Sequence, residues 1–130
     1  MALYADITDL TLEKDEALPG EIVNFVVSLK NLFTSVVSMK MTGYFRYNNN
    51  TIPVVFIWEG INVQPGYTVY FAGNFVMPSS AGALFVWSWW YGGDGNWYAD
   101  DGMGKAVGLA EAPPEEGAVQ IESVNTYVIR

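Results

Sequence analysis

Two residue types are missing from this 130-residue chain, cysteine and histidine. Without cysteine there is no disulfide, no thiolate nucleophile and no thiolate metal site. Without histidine the chain lacks the side chain most used as a general base and as a transition-metal ligand. Zinc and copper centres, Ser-His-Asp triads and Cys-His dyads are therefore excluded. Basic residues are scarce, 6 lysines and arginines against 14 aspartates and glutamates, for a net charge of −8. Such a surface repels phosphate, so neither nucleic acid nor an anionic membrane is expected as a partner. Long hydrophobic runs are also lacking. The longest candidate, Ala81 to Tyr91, falls short of the roughly 18–20 residues that span a bilayer, and no membrane insertion is expected. The opening Met1-Ala2-Leu3-Tyr4-Ala5-Asp6 has no basic n-region and no apolar h-region, so it does not read as a signal peptide.

What is present is a core. Hydrophobic residues make up 51% of the chain and aromatics 15%, which a single domain of this length buries without covalent staples. The pattern has period two nearly throughout. Strands are expected at Asp6 to Leu12, Ile22 to Lys30, Val36 to Tyr47, Thr51 to Glu59, Tyr67 to Met77, Ala83 to Tyr91 and Trp97 to Ala110, with a short one at Ile61 to Gln64. Val23, Phe25, Val27 and Leu29 share one face; Val69, Phe71, Gly73 and Phe75 share another. Turn chemistry punctuates these runs at Asp15 to Gly20, Asn48-Asn49-Asn50, Pro65-Gly66 and Gly92 to Asn96. Pro53 suits an edge strand. The expected fold is all-β, an antiparallel Ig-like sandwich of seven to eight strands over residues 1–110. Residues 111–118, with Pro113, Pro114, Glu115 and Glu116, read as a linker. Residues 119–130 read as a further strand of the same sandwich, or as an arm that pairs with a neighbouring subunit through Val119, Ile121, Val124, Tyr127 and Ile129.

Several segments resemble the CARDB-type branch of Ig-like domains: Ala5-Asp6-Ile7, the turn Leu18-Pro19-Gly20-Glu21, the strand Val27-Ser28-Leu29-Lys30-Asn31, Val63-Gln64-Pro65-Gly66 before a strand, and Phe75-Val76-Met77-Pro78. The resemblance covers residues 5 to about 110; the Trp87 to Trp90 cluster and the C-terminal segment depart from it. It implies a non-catalytic adhesion or spacer module, or a decoration on a phage or viral surface. A location outside the cell or on a virion is expected, the latter because a virion protein needs no signal peptide.

The richest local chemistry lies between Trp87 and Asp101. Leu84 and Val86 share the face of Trp90, whereas Phe85 and Tyr91 share that of Trp87 and Trp89. Either row could fill the core, leaving the other beneath a loop or as an exposed aromatic platform. Trp90, Trp97 and Tyr98 are the candidate ligand-binding residues, suited to stacking on sugar rings. Asp94, Asn96, Asp100 and Asp101 supply hard oxygens on a glycine-rich hairpin, and calcium is the one cofactor they suggest. Their spacing is not that of an EF-hand, and solvated turn residues explain them as well. Glu59, Asp94, Asp100 and Asp101 are the only candidates for a glycosidase carboxylate pair, and no spacing sets two of them across a cleft. No catalytic residue is expected. The leading expectation is a structural subunit that contacts copies of itself or other structural proteins. A carbohydrate-binding module and a spacer of a larger adhesin are the alternatives.

Overall fold

The computed structural model describes residues 2–111. Ten strands run in chain order: β1 Ala5–Leu12, β2 Glu16–Ala17, β3 Ile22–Asn31, β4 Val37–Tyr47, β5 Asn50–Pro53, β6 Val55–Phe56, β7 Ile61–Val63, β8 Thr68–Val76, β9 Gly82–Tyr91 and β10 Trp97–Leu109. They form two layers. One sheet has the order β1-β3-β8-β6; the other has the order β2-β10-β9-β4-β5, with β7 also on β4. The pairings are antiparallel except β2 against β10, which is parallel. The all-β, Ig-like sandwich expected from the period-two pattern is the observed fold.

Each long strand turns its apolar row inward. Val23, Phe25, Val27 and Leu29 of β3 and Phe71 and Phe75 of β8 are buried. They face Met39, Met41 and Phe45 of β4 and Leu84 and Val86 of β9. Phe45 stacks on Phe75 across the layers at 4.6 Å, while Phe25 meets Phe56 edge-on at 5.4 Å. Gly73 makes room for this cluster: a Cβ there would lie 2.6 Å from Cζ of Phe25. Each such ring contributes roughly 2–3 kcal/mol by leaving water.

The turns follow their residues. Gly20 (φ 87°) and Gly66 (φ 75°) each follow a proline, with Glu21 N–H donating to Leu18 O and Tyr67 N–H to Gln64 O. This is type II turn chemistry, with proline first and glycine at positive φ second. Asn48 and Asn49 both have positive φ and close the two-residue β4–β5 hairpin, where Tyr47 pairs with Asn50; only a primed turn matches the strand twist there.

Two expectations need correction. The single strand expected over Thr51 to Glu59 is broken. β5 belongs to one sheet and β6 to the other, with the chain crossing between layers at Val54. Pro53 and a short apolar run let the segment end one ladder and begin another. Within the expected turn Asp15 to Gly20, Glu16–Ala17 pairs with Gly108 and Leu109, because the last strand is long enough to reach it.

The two layers are joined along one side by side chains. β1 is an edge strand, and its free backbone groups are met from β9 and β10. Asp100 accepts hydrogen bonds from the N–H groups of Leu3 (2.6 Å), Tyr4 (2.8 Å) and Ala5 (2.7 Å). Asp101 accepts from Ile7 N–H at 2.9 Å. The buried Ser88 hydroxyl donates to Ala5 O at 2.6 Å and accepts from Asp101 N–H at 2.9 Å. Lys105 Nζ donates to Leu10 O at 2.7 Å. The register shift in β10 between Ala99 and Gly102 is a bulge that aims both carboxylates at β1. Ser88→Ala should lower stability by about 2 kcal/mol in urea denaturation, because a buried carbonyl and N–H lose their partner; an unchanged midpoint would mean that the seam does not depend on it.

Candidate functional site

The β9–β10 hairpin holds most of the candidate residues, and its register decides where each points. Leu84, Val86 and Ser88 are buried, and Trp90 packs against the same core. The opposite row, Phe85, Trp87, Trp89 and Tyr91, faces out. The reason is volume. Two indoles in the middle of a layer about 10 Å thick would overpack it, whereas Leu-Val-Ser fits, with the one large ring at the open end.

Trp90, Trp97 and Tyr98 are therefore not one ligand-binding face. Tyr98 is the cross-strand partner of Trp90, and Trp97 that of Tyr91. Trp90 stacks on Tyr98 at 4.8 Å and meets Tyr4 edge-on at 4.7 Å. Trp97 lies on the other side of the sheet, edge-on to Tyr91 at 5.2 Å. Trp90 also lines a groove of about 560 Å³ at one end of the sandwich, together with Tyr4, Phe33, Val36, Val37 and Tyr91. Asn31 fixes the far wall of that groove. Fully buried, its side chain donates to Ser35 O and Val63 O, both at 2.9 Å, and accepts from Phe33 N–H at 2.8 Å.

The outward row of β9 continues across the sheet. Tyr44 lies 5.2 Å from Trp87 and 5.8 Å from Phe85. Trp89 donates from Nε1 to Thr42 Oγ1 at 2.8 Å. Lys40 Nζ sits 5.5 Å from the Trp89 ring and 4.5 Å from that of Trp97, a cation–π arrangement. Glycines let these rings lie down: a Cβ at Gly102 would be 2.9 Å from Trp87 Nε1, and one at Gly104 2.9 Å from Phe85. Sequence reasoning left this row undecided and did not join Tyr44 to it; the glycines opposite Trp87 and Phe85 were the available signal.

The four oxygen-bearing residues suggested for calcium are not brought together. The carboxylates of Asp100 and Asp101 are occupied by the β1 N–H groups, whereas Asp94 and Asn96 stay in the hairpin loop. Asp94 accepts from the Tyr98 hydroxyl and, at 3.1 Å, from Asn96 N–H. Among the described residues no group of three or more Asp or Glu side chains is arranged to hold a metal ion. The Tyr98 hydrogen bond, then that of Asn96, holds Asp94 below the ordinary carboxylate range; the same bond to Asp94 raises the Tyr98 hydroxyl. Beside the seam, burial and then the Asp101 charge push Asp6 up. The suggested arm residues Val119, Ile121, Val124, Tyr127 and Ile129 lie outside the described residues.

A different surface, unnoticed in the sequence, lies on the outer face of the β1-β3-β8-β6 sheet. Ile22 pairs with Val76 and Val26 with Ala72; Val55 of β6 sits beside Asn74, and Ile57 follows with its N–H on Ala72 O at 3.0 Å. Val55 is 61% exposed, Ile57 68%, Ile22 57% and Val76 54%. The polar members at the centre are Asn24 and Asn74, which are cross-strand partners, and Glu13, reached by Asn24 Nδ2 at 3.2 Å, stands at the rim. Aliphatic side chains thus flank this asparagine pair on both sides, and an exposed apolar patch of this kind marks a candidate interface. The signal was present as Ile22 and Val26, the two apolar residues on the polar face of β3.

Two measurements check this assignment of faces. Trp90→Ala should cost about 3 kcal/mol in guanidinium denaturation, whereas Trp89→Ala should cost no more than about 1 kcal/mol; equal losses would contradict the inward placement of Trp90. The Asp94–Tyr98 pair gives a signed pH effect. Its Tyr98 part is present below the ordinary tyrosine value of about 10 and lost as pH rises through the raised one; its Asp94 part is lost as pH falls through the lowered carboxylate value. Asp94→Asn should move one phenolate absorbance step to lower pH, and superimposable titrations would refute the pair.

No protein-family profile matches the chain, and no curated protein does. Solved structures do. The structural-genomics target SoR45 superposes with a TM-score of 0.58 at 9% identity, covering 96% of this chain and 97% of its own. The cupredoxin domain of amoB from Nitrosocaldus yellowstonii gives 0.53 at 9% identity, covering 93% and 96%. The ASH/PapD-like domain 7 of human CEP192 gives 0.51 at 12% identity, covering 82% and 89%. At these identities the likeness is one of fold: this chain is a β-sandwich domain.

Proposed function

We propose that this chain is a non-catalytic structural module, a surface or virion subunit that works by protein–protein contacts with copies of itself or with other structural proteins. The aliphatic outer face of β3, β8 and β6 carries the reading. Side chains as large as Ile22, Val26, Val55, Ile57 and Val76 stand in water there, and covering such a patch stabilises a complex by roughly 25 cal/mol per Å² before the cost of association. The resemblance of Ala5-Asp6-Ile7 and the Leu18 to Glu21 turn to CARDB-type domains agrees with a binding or spacing role. Light scattering over a concentration series tests it. The full chain should form a defined oligomer that Val26→Lys combined with Val76→Lys weakens at least ten-fold. A chain that stays monomeric at every concentration and captures no structural partner counts against the reading.

The outer aromatic row favours a second reading, carbohydrate binding. Tyr44, Phe85, Trp87, Trp89 and Trp97 present ring faces across three neighbouring strands, as stacking on sugar planes requires. Trp87→Ala and Trp89→Ala would then abolish retention on an immobilised polysaccharide without loss of fold.

A further inference from the structure

The sandwich treats its edges unequally. On one side, the free backbone edge of β1 is covered by Asp100, Asp101, Ser88 and Lys105. On the other, β6 ends the same sheet with only β8 beside it among the described residues. The segment there, Val54-Val55-Phe56-Ile57-Trp58, carries no charge, and Val55, Ile57 and Trp58 are all more than half exposed. An open edge of this composition is a template for another strand.

We propose that the occupant is the segment 119–129 of a second copy, paired antiparallel along the outer edge of β6. This rests on the assembly reading above and names the surfaces that carry it. The segment has the matching pattern. Val119 and Ile121, and again Tyr127 and Ile129, are apolar pairs two residues apart, the spacing of Val55 and Ile57. They would extend the aliphatic face by one strand through cross-strand apolar pairs.

Chain geometry favours a second copy over the chain's own edge. β10 ends beside β2, with Ala110 N–H on Ala17 O at 2.9 Å. The end of β8 is at the same end of the sandwich, since Gly20 N–H donates to Met77 O at 2.8 Å, and β6 starts there, Val55 opposite Asn74. Residues 112–118 reach at most roughly 25 Å. A chain leaving Glu111 and turning onto its own β6 would run in the direction of β6, as a parallel pair. An antiparallel pair, the more stable ladder, is open to a second copy that approaches from the far end. Two copies exchanging arms in this way form a closed two-fold dimer. With a net charge of −8 on each copy, contact between the uncharged Val54 to Trp58 and a segment whose one charged residue is Glu122 limits the repulsion, and added salt would tighten it.

Light scattering and hydrogen exchange on three chains test this: the full chain, the chain ending at residue 111, and full-length Ile57→Lys. Ile57 is 68% exposed, so the lysine leaves the fold intact and keeps the test valid if the shortened chain misfolds. The full chain should have the mass of a dimer, more persistent at high salt, with slow amide exchange over Val54 to Trp58. Both altered chains should dissociate at least ten-fold more readily. A synthetic peptide of residues 119–129 should compete with the exchange. An oligomer indifferent to both alterations but broken by Val26→Lys with Val76→Lys overturns the arm and leaves the assembly reading standing. A monomer whose β6 amides lose protection when residues 112–130 are removed means that the arm lies on its own edge, which overturns the exchange. A monomer with no such protection overturns the arm and self-association together.

Discussion

The seam between β1 and β10 is the constraint on which the rest of the sandwich depends. β1 belongs to one sheet and β10 to the other, and no ladder joins them. Their backbones are instead linked by two carboxylates, one hydroxyl and one ammonium group. Hydrogen bonds with a charged partner are the stronger kind, and here they satisfy N–H groups that a free edge would leave to water or to another chain. A bulge in β10 is what brings Asp100 and Asp101 to bear. The same bulge fixes the register of the preceding residues, and so decides that Tyr98 stands opposite Trp90 and Trp97 opposite Tyr91.

Closing one side in this way makes the sandwich asymmetric. The β1 side is capped by charge and unsuited to strand addition. The β6 side is short, uncharged and apolar, and is continuous with an aliphatic outer face. The second sheet presents a different outer surface, aromatic rings laid flat over glycines and held by Lys40. Three surfaces of distinct chemistry thus sit on one small scaffold: aliphatic, aromatic, and the groove beside Tyr4 and Trp90. The first joins the open backbone edge of β6 to exposed aliphatic side chains, and the assembly reading rests there.

The four residues suggested for calcium show how one composition can serve two ends. Acidic side chains on a glycine-rich hairpin can hold a hard cation or can satisfy backbone donors. The choice depends on what else is near. Here Leu3 and Tyr4, just ahead of β1, and Ala5 and Ile7 within it offer N–H groups more than ninety residues away in sequence, and Asp100 and Asp101 turn to them. Asp94, left in the loop, takes the Tyr98 hydroxyl instead.

The sequence by itself determined the fold class, the long strands, their inward rows and the turns, because period two and the local demands of proline, glycine and asparagine are carried by neighbouring residues. Val23-Phe25-Val27-Leu29 could hardly face elsewhere, and Leu18-Pro19-Gly20-Glu21 could hardly do other than turn. Tertiary structure alone decided which indole row of β9 is buried, because both rows are apolar and the decision belongs to the volume between the sheets. It alone decided that Thr51 to Glu59 divides between two layers, because each half answers to a different neighbour. It also decided the fate of Asp100 and Asp101, whose partners are distant in the chain and become near only when the two sheets close.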